Sequence, residues 1–398
     1  MAVRGPLSFA QQRMLRFVEG PLDPLGFHLT QYVELEGELD TGALEAALAH
    51  VAARHPALRT AFRREGGELG QEIEDAVELD HIRVDLRHFP DGDWPLRLDA
   101  VSVAVGSRPF DLTRPPLHRS ALVRLPRDRA ALVLIFHHLL CDGYALTVFF
   151  RDLTTAYEAA LEGLEPVFAE PAGDPIAYAR WQRERLESER GRLLDHWRSE
   201  LDGADVSTWL SARPRDVSQT RGRIYRAPLP PETTGAVSEL AAAVPATPFA
   251  ALVTAFAFEL ARRAGRREVV LTSNVSNRVR REHENLLALL ANNLPLRLRF
   301  DEGATFRDAV RATGRTVLRT LDHQELPSAI LIEEILAPAG PLPRFPSVQL
   351  AFPGQAGDWG LALPGVRSHV VDVPPPGARG DLLRDGQADR HQHERPEQ

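Results

Sequence analysis

The 398-residue sequence predicts an α/β protein folded as two lobes, and three observations carry that expectation. The chain is longer than one compact core usually spans, which points to two units of roughly 150 to 220 residues. Helical apolar spacing alternates along it with short, densely apolar runs of strand character. "LEPVFAEPAGDPI", residues 164–176, interrupts that alternation with prolines and glycines, as an interlobe linker does. The expected division is an N-terminal lobe over 1–165, a C-terminal lobe over 176–380 and a disordered polar tail over 381–398. That tail has almost no apolar content after Leu383.

The elements follow in order. "ALEAALAHVAARHPALRTAF" sets Leu44, Ala47, Leu48 and Val51 on one helical face and ends near Pro56. Residues 118–136 read as two strands joined by the polar turn "PRDR", the second a continuous apolar run buried on both faces. After Gly143, helical spacing returns through Leu146, Phe149, Phe150, Leu153 and Tyr157. "AYARWQRERLESERGRLLDHWRSEL" predicts a long polar-faced helix broken or weakened at Gly191, with a loop over 202–222 behind it. In "PATPFAALVTAFAFELARRAG", Thr247 suits the cap, Pro248 the first helical position and Gly265 the stop. The strand "REVVLTSNVSNR" comes next, and no sequence repeat links the two halves.

Composition narrows the function. With 43% hydrophobic and 26% charged residues and no apolar run near the roughly 18 that a membrane helix needs, the chain reads as globular. The N-terminus lacks a signal-peptide core and a single cysteine, Cys141, excludes an internal disulfide, so a cytoplasmic setting is expected. A net charge of -8 with scattered arginines argues against nucleic acid and leaves a small molecule or another protein as partner. Phosphate-loop, dinucleotide, nucleophile-elbow and HExxH patterns are missing. The terminal "RHQHE" has metal-like spacing, but in a polar tail it reads better as a solvated run, and no metal is expected.

The chemistry concentrates in "IFHHLLCDGYAL", residues 135–146, at a strand, loop, helix corner. A neutral imidazole takes a proton near neutral pH, and a strand end fixes it while leaving it able to face a cleft. The plainer reading makes His137 and His138 backbone-bonded strand-end residues and Asp142 the cap of the next helix. Against that, H-H-x-x-x-D-G arises by chance in such a chain on the order of once in several hundred.

In this order the motif resembles that of the condensation domains of nonribosomal peptide synthetases, which share the chloramphenicol acetyltransferase type of fold. "LSFAQQRMLRF" (7–17) is similar to the family's opening motif, "RHPALRTAF" (54–62) to RHxxLRTxF, and "AYARWQ" (177–182) to YxDFAxWQ without its aspartate. "LALLANNLPLR" (287–297) resembles the stretch GxFVNTLxxR, and "DHQELPSAILI" (322–332) resembles HQDxPFExL. The resemblance covers roughly residues 5–352. It implies an α+β sandwich in each of two lobes set in a V, a pseudodimer with the histidines on the floor of a tunnel.

The implied reaction joins an acyl or aminoacyl thioester, carried on phosphopantetheine by a carrier protein, to an amine or hydroxyl acceptor. No intrinsic cofactor is implied; the arm comes from the partner. His138, Asp142 and Gly143 form the implied catalytic set, with His138 as base or as the group that positions the amine. His137 and Arg278 are supporting, and Arg278 stands where the family has the arginine that pairs with the motif aspartate. Asn293 and Tyr144 are the implied substrate-binding residues, with Asn292 an alternative register for the asparagine. Cys141, beside two imidazoles, has the look of a nucleophile, but it occupies a variable position of the motif and reads better as a space-filler.

Departures keep rivals open. The family continues some tens of residues past the point where this chain turns polar, which predicts a shortened C-terminal lobe, and no carrier or adenylation signature is present, which predicts a free-standing domain. A coenzyme A-dependent acyltransferase of the same fold is one alternative, faintly supported by "GDWG" at 357–360; a noncatalytic recruitment module is another. An epimerisation domain would need a glutamate near 282–291, where Glu282 and Glu284 lack the right context.

Overall fold

A computed structural model describes residues 2–20, 23–90, 92–206, 229–336, 348–351, 361–372 and 382–385. The chain begins with β1 (Val3–Gly5), α1 (Phe9–Val18), β2 (His28–Gly37), α2 (Thr41–Arg54), β3 (Thr60–Glu65), β4 (Glu68–Ile73), β5 (Asp80–Asp85) and α3 (Trp94–Gly106). It then forms β6 (His118–Leu125), β7 (Arg129–His137), α4 (Gly143–Leu161) and α5 (Pro175–Leu201). Next come α6 (Pro231–Ala243), α7 (Pro248–Ala264), β8 (Glu268–Val275), α8 (Arg281–Glu284), β9 (Asn292–Arg299), α9 (Phe306–Asp322) and α10 (Ser328–Leu331). Short strands β10 (Val348–Ala351), β11 (Val366–Asp372) and β12 (Leu382–Asp385) follow.

The larger sheet runs β11-β2-β7-β6-β5. Its central strand β7 is the continuous apolar run, and its alternation explains the burial. Leu132, Leu134 and Phe136 pack with Leu44, Leu48 and Val51 of α2 and Phe149, Phe150 and Leu153 of α4. Ala131, Val133 and Ile135 face Leu98 and Val105 of α3. Each large side chain so buried contributes about 1.5–3 kcal/mol, enough to hold the end of β7 still.

The second sheet, β12-β10-β8-β9, packs Val269, Leu271, Leu296 and Leu298 against Val253, Ala257 and Leu260 of α7. Helix α7 has the expected ends: the Thr247 hydroxyl accepts the Ala250 N–H, Pro248 opens the first turn, and Gly265 closes it at φ 62°, a left-handed position that costs glycine little. A small antiparallel sheet, β1-β4-β3, lies apart from the two larger ones.

Three expectations change. Helix α5 runs unbroken through Gly191 for 27 residues, because Leu186, Leu193, Trp197 and Leu201 bury one stripe of it. That burial outweighs the roughly 1 kcal/mol a mid-helix glycine costs. Strand β11 crosses the division expected at 165–176 and pairs antiparallel with β2, supplying the edge of the N-terminal sheet. Lastly, the tail expected to be disordered from 381 begins with a strand: β12 pairs parallel with β10, its backbone groups satisfied by that otherwise open edge. Residues 386–398 with "RHQHE", the "GDWG" turn and most of the loop expected over 202–222 lie outside the described residues.

Candidate active site

Strand β7 carries its buried core up to His137, and the backbone then turns. His137 is 2% exposed; its backbone N–H donates to the Leu117 carbonyl and its Nδ1 accepts the Leu139 N–H at 3.2 Å. With Nδ1 accepting, the neutral ring carries its proton on Nε2. The rings of His28 and Phe110 stand edge-on to it, each 6.1 Å away.

His138 is half-buried and differently held. Its backbone N–H donates to the Phe27 carbonyl at 2.8 Å, and its Nδ1 lies 2.8 Å from the Cys141 carbonyl oxygen. A carbonyl only accepts, so Nδ1 is the donor and the neutral ring's lone pair is on Nε2. One backbone carbonyl thereby sets the tautomer and the plane of the ring. The Cys141 thiol contributes packing: it is 1% exposed, and burial pushes its pKa well up, away from the thiolate that a nucleophile needs.

Asp142 closes the loop and joins the two halves of the chain. It is 2% exposed; Oδ1 caps α4 by accepting the Ala145 N–H at 2.9 Å. Oδ2 accepts the Leu290 and Ala291 N–H groups, both at 2.9 Å, and Nη1 of Arg278 at 3.1 Å. Burial alone would raise its pKa, but the Arg278 charge and hydrogen bond and the Ala145 and Leu290 donors outweigh it and hold the carboxyl below its ordinary value. Arg278 follows β8, donates also to the Ser276, Leu286 and Ala288 carbonyls, and lies 4.3 Å above the Tyr144 ring.

The remaining residues from the sequence fall around this clamp. Gly143 begins α4, and a Cβ there would meet no atom within 4 Å, so the space beside it is open. Tyr144 is 39% exposed under Arg278. Asn292 and Asn293 open β9 and separate cleanly. The Asn292 side chain is spent: it donates to the Gln324 and Leu326 carbonyls and accepts the Ser328 and Asn293 N–H groups. The Asn293 carboxamide has no partner among the described residues, and its backbone pairs in register with Asn274 of β8. What the sequence does not announce is the role of Leu290 and Ala291, whose backbone amides carry no side-chain signature.

No group of three or more His, Cys, Asp and Glu side chains able to hold a metal is found among the described residues. No single described helix is long and apolar enough to cross a membrane.

A frame of helices on mixed sheets, with an imidazole fixed at a strand end, is the chloramphenicol acetyltransferase class of fold. The first condensation domain of the calcium-dependent antibiotic synthetase superposes with a TM-score of 0.78 at 22% identity, covering 96% of this chain and 87% of that one. The teicoplanin X-domain in its complex with OxyB superposes at 0.74 with 28% identity, covering 96% and 83%. In sequence, phosphinothricin tripeptide synthetase PhsC of Streptomyces viridochromogenes is 36% identical over 334 residues. That match covers 83% of this chain but only 31% of the synthetase. Residues 3–340 match the Condensation domain family, and this chain belongs to it. Condensation domains of nonribosomal peptide synthetases form amide bonds and work with carrier domains whose phosphopantetheine arms bring the groups to be joined.

Proposed function

We propose that this chain joins a carrier-bound acyl or aminoacyl thioester to an amine and that His138 is its catalytic residue. The observation that carries this reading is the Nδ1 donation to the Cys141 carbonyl, which places the neutral ring's lone pair on Nε2. The amine nitrogen attacks the thioester carbonyl carbon while donating a hydrogen bond to Nε2. The tetrahedral intermediate collapses with cleavage of the C–S bond, and the amine proton passes to the sulfur, directly or through Nε2, so that amide and carrier thiol leave together. An α-amine titrates near 8, so part of it is already neutral at working pH, and holding it in line supplies much of the rate.

Asp142 and Arg278 act as positioning residues, since both side chains are buried and spend their hydrogen bonds on protein groups. His137 supports β7, Gly143 leaves room for the thioester, and the unspent Asn293 carboxamide and the Tyr144 ring contact the bound group. Carrier proteins are the partners and supply the phosphopantetheine.

The test is intact-mass detection of amide from an acyl-loaded carrier protein and a panel of amines, with His138→Ala alongside. Amide from the native protein and at least 100-fold less from the variant is expected. Equal use of coenzyme A thioesters would transfer the reading to a soluble-thioester acyltransferase. A second reading, recruitment of another protein, draws on the likeness to the X-domain captured with OxyB. It wins if no donor gives product.

A further inference from the structure

Beyond Arg278 lies a cavity of about 320 Å³ that the chemistry above does not use. It opens between the end of β8, the first turn of α7 and the last turn of α9. Phe249, Val275, Leu296, Val317 and Leu321 form its apolar wall. Ser273, Asn274, Ser276, Thr320 and Gln324 form its polar one. Its volume is at the lower end of small-molecule sites, suited to one side chain and not to an extended ligand.

Two features give the cavity a chemical preference. First, the Ser273, Ser276 and Thr320 hydroxyls have no hydrogen-bond partner among the described residues, and two of these residues are deeply buried, Ser273 at 5% and Thr320 at 4% exposure. Buried polar groups are nearly always paired, so unspent hydroxyls lining a cavity suit a ligand that brings the complementary groups. Second, among the described residues the lining holds no carboxylate, and the one charge it holds, Arg278, is already neutralised by Asp142. A cationic group entering would find no counterion, and an anionic one would find an arginine already committed to a carboxylate and three carbonyls.

One residue, Arg278, is common to the cavity and to the clamp on the histidine loop. Asn274, at the same end of β8, lines the cavity too and pairs in register with Asn293, on the face of the sheet opposite Ser273, Val275 and Leu296.

We infer that this cavity receives the side chain of one of the two condensing groups and selects a neutral, hydrogen-bonding one, of the carboxamide or hydroxyl class, over cationic and anionic side chains. This rests on the condensation reading for its biological meaning, and the test is chosen to separate the two. Stable pantetheine amides of glutamine, glutamate, lysine and leucine are titrated by ligand-observed NMR against the native chain and a Ser273→Ala/Thr320→Val double variant. The glutamine amide should bind on the order of tenfold more tightly than the glutamate and lysine amides. Its advantage over the leucine amide should shrink in the double variant. His138→Ala should keep the native order while losing amide formation. Equal affinities for all four in the native protein, or an unchanged glutamine-to-leucine ratio in a double variant with native circular dichroism and melting, overturns the inference. If the variant fails to fold, Thr320→Val alone carries the same comparison. A native chain that makes no amide yet ranks the probes as stated refutes the condensation reading alone.

Discussion

Two aspartates of α4, Asp142 at its N-cap and Asp152 in its third turn, are both 2% exposed and do opposite jobs. Asp152 is satisfied locally in the fold: Arg54 at 2.7 Å, the His55 ring at 2.9 Å and Arg151 at 2.8 Å surround it, all from α2, its C-cap and α4 itself. Asp142 bonds Arg278, Leu290 and Ala291, residues of the segment that connects β8 to β9. One carboxylate therefore stiffens a helix pair, and the other ties the histidine loop to the second sheet. Burial and charge are alike in the two; only the origin of the donors tells a structural aspartate from one that sets the site.

Substitution at 142 tests that contrast most severely. Asp142→Ala leaves Arg278 buried without its counterion and is expected to cost about 3–5 kcal/mol in urea unfolding. It should also abolish condensation in whatever protein stays folded. Retained turnover would show that the link between the sheets is dispensable for chemistry. Asp152→Ala is the control. Arg54 and Arg151 have side chains 12% and 49% exposed and can turn toward water, so the expected loss is smaller, about 1–3 kcal/mol, with turnover per folded molecule unchanged. A fall in turnover there would erase the distinction.

Acid sharpens the comparison, because buried imidazoles take protons before either carboxylate does. Burial lowers the pKa of His118 and of His283 to about 4 in each case. A depressed folded pKa means that the unfolded chain binds the proton first, so this stability is complete above pH 6.5 and is lost as pH falls toward 4. The aspartate clamps fail later. Burial raises the Asp152 pKa, yet the bonds from His55, Arg54 and Arg151 bring it down to about 2, and Asp142 is likewise lowered, so their contribution disappears from about pH 4 downward. Denaturant midpoints across pH 3–8 should show the two stages. His118→Gln should flatten the first stage and leave the second, and an unaltered slope between pH 6.5 and 4 would remove His118 from the account.

How much of this was legible in the sequence follows from the range of each interaction. The strand, loop and helix at 129–161 are written in local periodicity, and so are the ends of α7, because caps and stops act within one turn. Arg278 is a polar-turn residue by its own neighbours, and only the family resemblance set it opposite Asp142. Asn292 and Asn293 could not be ranked, since what distinguishes them is contact with residues 324–328, more than thirty positions away. Strand β11 was not legible either: its place in the first sheet depends on β2, over three hundred residues earlier. The cavity left no motif at all, because it is defined by what its hydroxyls fail to touch.

The smallest expected effect asks what residue 141 contributes to the Asp142 loop. A thiol next to two imidazoles invites a nucleophilic role, and the structure separates the two halves of that residue. The group that orients His138 is the Cys141 carbonyl, which every amino acid supplies. The side chain is sealed in the core with its pKa raised, packed among residues of the first sheet and α4. Cys141→Ala keeps the carbonyl, removes one sulfur atom's worth of packing and should cost about 1 kcal/mol with kcat within twofold of native. Thiol-directed alkylation of the native protein should be correspondingly slow until the chain is unfolded. A large loss of turnover in Cys141→Ala, with the melt almost unmoved, would give the thiol a chemical role and take the carbonyl's bond to His138 out of the centre of the mechanism.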